Sequence, residues 1–210
     1  MEINPVSTNP IRNVSDTALW VAVYRAMESE RKDALFRDPF ARRLAGERGQ
    51  AIVDAMPRGK ELAWAMIVRT AVIDELILQC IRNGATSVLN LAAGLDTRAY
   101  RLDLPESLHW YHVDFPSMVE YVKDKLAFET PRCALEYVAA DLREPEQRDA
   151  IFRKAAEKGP VLIITEGLLV YLPPEDVADL AKALHQSAQA RWWISDLATP
   201  LLLKRLAKSW

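Results

Sequence analysis

"VLNLAAGLDTRAYRL", residues 88–102, begins as a run of branched and small apolar residues and then turns abruptly polar. Gly94 is its only glycine, and Asp96, Thr97 and Arg98 follow closely. A buried strand that ends in a small-residue turn rimmed by charge is what a ligand-binding strand end requires. In doubly wound α/β sheets, ligands bind outside the carboxyl ends of the strands, where the strand order reverses.

The segments downstream repeat this strand in alternation with helices. "TSVLNLAA", "SLHWYHVD", "ALEYVAAD", "PVLIITEG" and "RWWISDLA" read as five strands. "SMVEYVKDKLAFE", "EPEQRDAIFRKAAEKG" and "PPEDVADLAKALHQSA" read as the helices between strands 2 and 5. Strands alternating with helices imply right-handed crossovers and a parallel sheet covered on both faces. The expected fold is therefore α/β, a Rossmann-like doubly wound parallel sheet, over residues 85–210.

Upstream, residues 1–84 carry helical patterns and no strand signal. They read as an N-terminal helical cap within the same domain. In "SDTALWVAVYRAMESE", Leu19, Val23 and Ala26 recur at helical spacing, with Ser15 or Asp16 as N-cap. In "RDPFARRLAGERG", Asp38 suits an N-cap, Pro39 the first helical position and Gly46 the stop. The longest helical pattern runs from about 61 to 82 and closes at Asn83-Gly84. The first ten residues, with two prolines and two asparagines, read as a loose arm.

Composition excludes several classes. Lys and Arg number 27 against 29 Asp and Glu, a formal charge of -2, which argues against a dedicated nucleic-acid binder. Cys80 and Cys133 have no metal-ligand spacing and read as free thiols in a reducing compartment. The start "MEINPVSTNP" lacks the basic and apolar regions of a signal peptide. No apolar run approaches the roughly 20 residues of a membrane span. A cytoplasmic protein with no membrane partner is expected.

Four strands end in acids or small residues: strand 1 at Ala92-Ala93-Gly94, strand 2 at Asp114, strand 3 at Asp141 and strand 4 at Glu166-Gly167. Each residue has two readings. Gly94 lets a ligand approach the backbone, or is an ordinary turn glycine. Asp114, 20 residues after Gly94, is placed to bind ribose hydroxyls, or caps the helix that begins at Pro116. Asp141 could accept from an adenine amino group while the N–H of Leu142 meets a ring nitrogen, or it caps a turn. Glu166 joins the site or is a solvated strand terminus. Arg69, on an apolar helical stretch, needs an anion: a ligand carboxylate, or a structural partner such as Asp74 or Asp96. The dinucleotide pattern G-x-G-x-x-G fails, because Ala92 and Thr97 stand where glycines belong. A ligand with adenine and ribose but no phosphates fits better, and S-adenosyl-L-methionine is the common one.

"LNLAAGLDTRAYRL", "HVDFP", "AADLRE", "ITEGLLVYLP", "DPFARRL" and "VRTAVID" together resemble the leucine carboxyl methyltransferase family, over about residues 15–200. Within it the resemblance is to bacterial S-adenosylmethionine-dependent O-methyltransferases, some of them acting in polyketide pathways. It implies that Arg69 holds the methionine carboxylate, Gly94 approaches the methionyl amino end, and Asp114 binds the ribose. It further assigns the adenine to Asp141 and Leu142, the methionyl side of the pocket to Glu166, and a covering role to Arg25. The family usually has glycine at the place of Ala92. Its sheet has seven strands, the last two a hairpin against strand 5, whereas this chain reads as strand 5 and one helix, so the C-terminal strands are expected to be missing.

The expected activity is methyl transfer to a carboxylate or hydroxyl of a small-molecule acceptor. The alternatives are a nucleotide-cofactor oxidoreductase, which the missing glycines disfavour, and a non-catalytic S-adenosylmethionine-binding protein. A carboxylate acceptor is ionised at pH 7 and needs no base, whereas a hydroxyl needs one. His112 alternates with Trp110 and reads as a packed histidine, so no catalytic base is assigned.

Overall fold

A computed structural model describes residues 14–56, 59–187 and 189–199. The expected N-terminal arm and the helix expected at 201–210 lie outside the described residues. Five strands form one sheet: β1 (Ser87–Leu91), β2 (His109–Asp114), β3 (Ala134–Ala139), β4 (Val161–Thr165) and β5 (Ala190–Ser195). The order is β3-β2-β1-β4-β5 and every pairing is parallel. Strand order reverses between β1 and β4, so the ends of these two strands flank the crevice where this architecture binds ligands.

The alternation of side chains along each strand builds two cores. Val88, Trp110, Leu162 and Ile164 face one apolar cluster, together with residues of α1 (Val14–Ser29), α2 (Ala41–Ala55), α3 (Gly59–Arg82) and α5 (Pro116–Lys125). Leu89, Leu91, Tyr111, Val113 and Ile163 face the other, with Ile151, Phe152 and Ala155 of α6 (Pro145–Ala156) and Leu180 and Leu184 of α7 (Pro174–Gln186). β1 and β4, central and apolar on both faces, are buried at every position. β3 and β5 are the outer strands and are only partly covered. On β5, Trp192 and Ile194 point to the first core, while the half-exposed Trp193 donates its indole N–H to Thr165 Oγ1 at 2.9 Å.

Three local expectations near the N-terminus fail. Gly46 does not stop a helix: with φ 58° and ψ −173° it kinks α2, which resumes and runs to Ala55. Glycine tolerates this backbone without Cβ strain, so what reads as a terminator serves as a bend. Asp38 and Pro39 precede the first helical residue, Ala41. Asp38 accepts the Phe40 N–H at 3.1 Å, but its carboxylate is buried and committed to Arg25 and Thr97. Asp16 is no N-cap either. It lies inside α1, where its carboxylate accepts two hydrogen bonds from Arg48, at 2.9 and 2.6 Å.

Candidate functional site

The chain leaves β1 through two left-handed residues, Ala92 (φ 52°) and Gly94 (φ 54°). Ala92 is the only non-glycine residue with positive φ among those described, and alanine pays for that conformation with a Cβ clash that glycine lacks. The resemblance leads to glycine being expected at this position, and the backbone conformation here favours glycine. At Gly94 a Cβ would lie 3.2 Å from Ala18 Cβ, so α1 closes over the turn and would have to give way slightly to any side chain there.

Two residues of β2 hold this turn. Asp114 Oδ2 accepts the Gly94 N–H at 2.7 Å, and Oδ1 accepts the Phe115 N–H at 2.7 Å. His112 Nε2 lies 3.2 Å from the Gly94 carbonyl oxygen, and its buried ring packs on Tyr137 with centroids 5.0 Å apart. Burial pushes the Asp114 carboxyl up, against the pull of the Gly94 and Phe115 N–H groups, and pushes the His112 imidazole down. His112 is a packed residue, as expected, with one hydrogen bond to the turn. Asp114 bonds the Gly94 N–H across the strand ends, and its bond to the adjacent Phe115 N–H is no helix cap, since α5 has no side-chain cap hydrogen bond.

Across the crevice, Glu166 follows the end of β4 and bridges two guanidiniums. Its Oε1 lies 3.0 Å from Arg69 Nε and its Oε2 2.7 Å from Arg98 Nη1. The first contact is close but poorly aligned, so the buried Arg69 Nε–H has no hydrogen-bond partner among the described residues. Arg69 Nη1 donates to Asp196 Oδ2 at 2.7 Å, and Asp196 Oδ1 accepts the Gly167 N–H at 2.7 Å. Arg98, on the short helix α4 (Arg98–Arg101), also binds Asp96 at 2.7 Å and Asp74 at 2.6 Å, and Asp74 is gripped again by Arg101 at 2.7 and 2.8 Å. Burial opposes the charge on Glu166, but the Arg98 and Arg69 guanidiniums outweigh it and hold its carboxyl below the ordinary value. The same contest at Asp96, with Arg98 the leading guanidinium, also leaves its carboxyl below the ordinary value.

The acids suggested as structural partners for Arg69 are therefore Arg98's. α4 begins immediately after the β1 turn and carries Arg98 inward between α3 and β4, where Asp74 and Asp96 reach it first. Asp196 closes β5 in the phase of the other strand-end acids and could have been found by that rule. Arg98, whose side chain is 3% exposed, is a hub rather than a rim residue. Arg25, on α1, is buried against the turn, donating to Leu95 O at 2.6 Å and to Asp38 at 2.8 Å.

Asp141 stands apart from this cluster. β3 ends at Ala139, the Ala140 N–H donates to Asp114 O at 2.9 Å, and the Asp141 carboxylate is taken by the Arg143 N–H at 3.0 Å and the Arg143 guanidinium at 2.6 Å. Its geometry is that of a turn cap, and the hydrogen bonds from Arg143 hold its carboxyl down despite some burial. Leu142 is half-buried against the second apolar core. Among the described residues no group of His, Cys, Asp or Glu could hold a metal ion, and no helix is long and apolar enough to cross a membrane.

The sequence is similar to those of known proteins. The family model described as leucine carboxyl methyltransferase matches residues 18–185. A protein of Streptomyces coelicolor, named "Putative S-adenosyl-L-methionine-dependent methyltransferase", is 39% identical over 179 residues, covering 80% of this chain and 62% of its own length. Proteins given the same description in Saccharopolyspora erythraea and Mycobacterium tuberculosis are each 35% identical, covering 83% and 77% of this chain and 64% and 58% of their own. The chain thus spans roughly three fifths of the length of these curated relatives. The match runs from α1 into α7 and takes in Arg69, the β1 turn, Asp114 and Glu166, and on it the chain belongs to the leucine carboxyl methyltransferase family.

Proposed function

We propose that the chain binds S-adenosyl-L-methionine in the crevice between the ends of β1 and β4 and takes part in methyl transfer to an oxygen of a small-molecule acceptor, carboxylate or hydroxyl. The observation that carries this reading is the pairing of Asp114 with the Gly94 N–H at 2.7 Å, beside a turn in which Ala92 and Gly94 are left-handed. Each Asp114 oxygen spends one lone pair on a backbone N–H and keeps another for a ribose hydroxyl. The unmatched Arg69 Nε–H is a donor suited to a carboxylate such as the methionyl one. Asp141 and Leu142 are assigned to the adenine. For that role the Asp141 carboxylate must be shared with, or released from, Arg143.

The residues present fit the cofactor, which supplies a methyl group on a sulfonium that leaves as a neutral thioether. What the protein contributes is placement. Arg69 and Asp114 fix the methionyl carboxylate and the ribose on either side of the sulfonium, and positioning of this kind is worth up to roughly 7–11 kcal/mol in well-aligned intramolecular reactions. An ionised carboxylate acceptor would need nothing more, and the one buried histidine of the turn, His112, is spent on Gly94 O.

The test is calorimetry with S-adenosyl-L-methionine, followed by incubation of protein and cell extract with methyl-labelled cofactor. Saturable binding and a labelled small molecule support the reading. Mild alkali releases label from a carboxyl ester and leaves an ether intact, which identifies the acceptor oxygen. Absence of binding would overturn the cofactor assignment, and binding without transfer would leave a non-catalytic binding protein.

A further inference from the structure

The ion-pair chain beside the crevice does not balance. It runs Asp196–Arg69–Glu166–Arg98 and on to Asp96, Asp74 and Arg101, each step within 3.0 Å. Among the described residues three guanidiniums thus face four carboxylates. Asp38 and Arg25 extend the chain by one charge of each sign and leave the excess unchanged. On the opposite side of the crevice Asp114 adds a further carboxylate, whose hydrogen bonds are to backbone N–H groups and to no cation among the described residues. The crevice is therefore anionic. Asp74, Asp96 and Glu166 are all shared with the buried guanidinium of Arg98. Among the described residues the Asp196 carboxylate touches only Arg69 and the Gly167 N–H, and it is the most exposed member of the chain of ion pairs, its side chain 25% accessible. It is the member of this ion-pair chain most open to the crevice.

S-adenosyl-L-methionine carries a net charge of +1 at neutral pH, from ammonium, sulfonium and carboxylate. Its demethylated product, S-adenosylhomocysteine, carries none. An anionic crevice therefore holds the cofactor more tightly than the product, and a charge several ångströms from the sulfur suffices, because a part-buried site screens poorly. We propose that Asp196 is a specificity-determining residue that makes the crevice prefer the sulfonium cofactor to its neutral thioether product. This rests on the cofactor assignment made above. Asp196 acts without touching the sulfur, and it also aims Arg69 by bonding Nη1.

The test is calorimetry on wild type, Asp196→Asn and Asp196→Glu with four ligands: S-adenosyl-L-methionine, S-adenosylhomocysteine, sinefungin and 5′-methylthioadenosine. Sinefungin places an ammonium where the sulfonium stands. 5′-Methylthioadenosine is neutral and lacks the amino-acid end. Wild type is expected to bind the two cationic ligands about five- to tenfold more tightly than S-adenosylhomocysteine, as expected for one added charge at an effective dielectric near 20 after solvent screening. Asp196→Asn should lower that ratio by about two- to fivefold, Asp114 keeping part of the preference, while leaving 5′-methylthioadenosine unchanged, and Asp196→Glu should restore it. An unaltered ratio in Asp196→Asn, or no preference for cations in wild type, overturns the proposal while the cofactor assignment stands. If wild type binds none of the four, the cofactor assignment itself has failed. The wild-type comparison holds even if Asp196→Asn does not fold.

Discussion

Asp114 and Gly94, on neighbouring strand ends, are joined by a 2.7 Å hydrogen bond from the Gly94 N–H to Asp114 Oδ2. One carboxylate thus shapes the turn and stays available to a ligand. Asp114→Ala is expected to weaken S-adenosyl-L-methionine binding by about 1–3 kcal/mol, the cost of losing charge-assisted bonds in a buried site. An unchanged dissociation constant by calorimetry would remove Asp114 from the site. Asp141→Ala, whose carboxylate is already engaged by Arg143, should cost less than Asp114→Ala in the same titration.

The left-handed Ala92 offers a change in the stabilising direction. Ala92→Gly relieves the Cβ clash, worth about 1–2 kcal/mol, but loosens the unfolded chain by about 0.4–1 kcal/mol. A net gain of roughly 0.5–1 kcal/mol is expected, read as a rise in the urea midpoint at unchanged slope. A fall in the midpoint would mean that the alanine methyl packs more favourably than its backbone strain costs.

Arg98 neutralises three acids at once. Arg98→Met would leave Asp74, Asp96 and Glu166 short of a counter-charge in a buried setting, at an expected cost of about 3–5 kcal/mol in urea unfolding. A loss under 1 kcal/mol would mean that water or Arg101 compensates the acids.

Stability should fall with acid in two stages. His112 has its folded pKa depressed below 6.5, so the unfolded state binds the proton first. Its contribution is complete above pH 6.5 and declines as pH drops toward the folded value. Glu166 and Asp96 are depressed below 4.5 and 3.8, so their contribution is present above those values and is lost as pH falls through the lower folded ones. Urea midpoints measured from pH 8 to 3 should show both declines, and His112→Gln should remove the first. Asp114 runs the other way: its raised pKa means that cofactor affinity begins to fall at a higher pH than 3.8.

The sheet was legible because burial on both faces leaves unbroken apolar runs such as "VLIIT", and because each run stops at an acid or a small residue. The strand-end logic located Gly94, Asp114 and Glu166. It did not reveal who partners whom. Arg98 reads as a rim residue because it follows a turn, and only the three-dimensional path of α4 carries it inward to Asp74 and Glu166. Gly46 misled because a kink and a terminator use the same residue for the same φ. Asp38 misled because its position before Pro39 fits a cap, while burial commits its carboxylate to Arg25 and Thr97. Arg143, two residues from Asp141, was a local partner that the sequence did display.

Arg98 binds an acid from α3, one from the loop after β1 and one from the end of β4. Lifting the three leading helices from the sheet would break the Asp74 pairs with Arg98 and Arg101 and the Arg69 pairs with Glu166 and Asp196 together. Neither portion can come apart first at an acceptable electrostatic penalty, so heating should give one calorimetric peak with van't Hoff and measured enthalpies in agreement. Excision of the leading helices should leave a molten sheet rather than a smaller native protein.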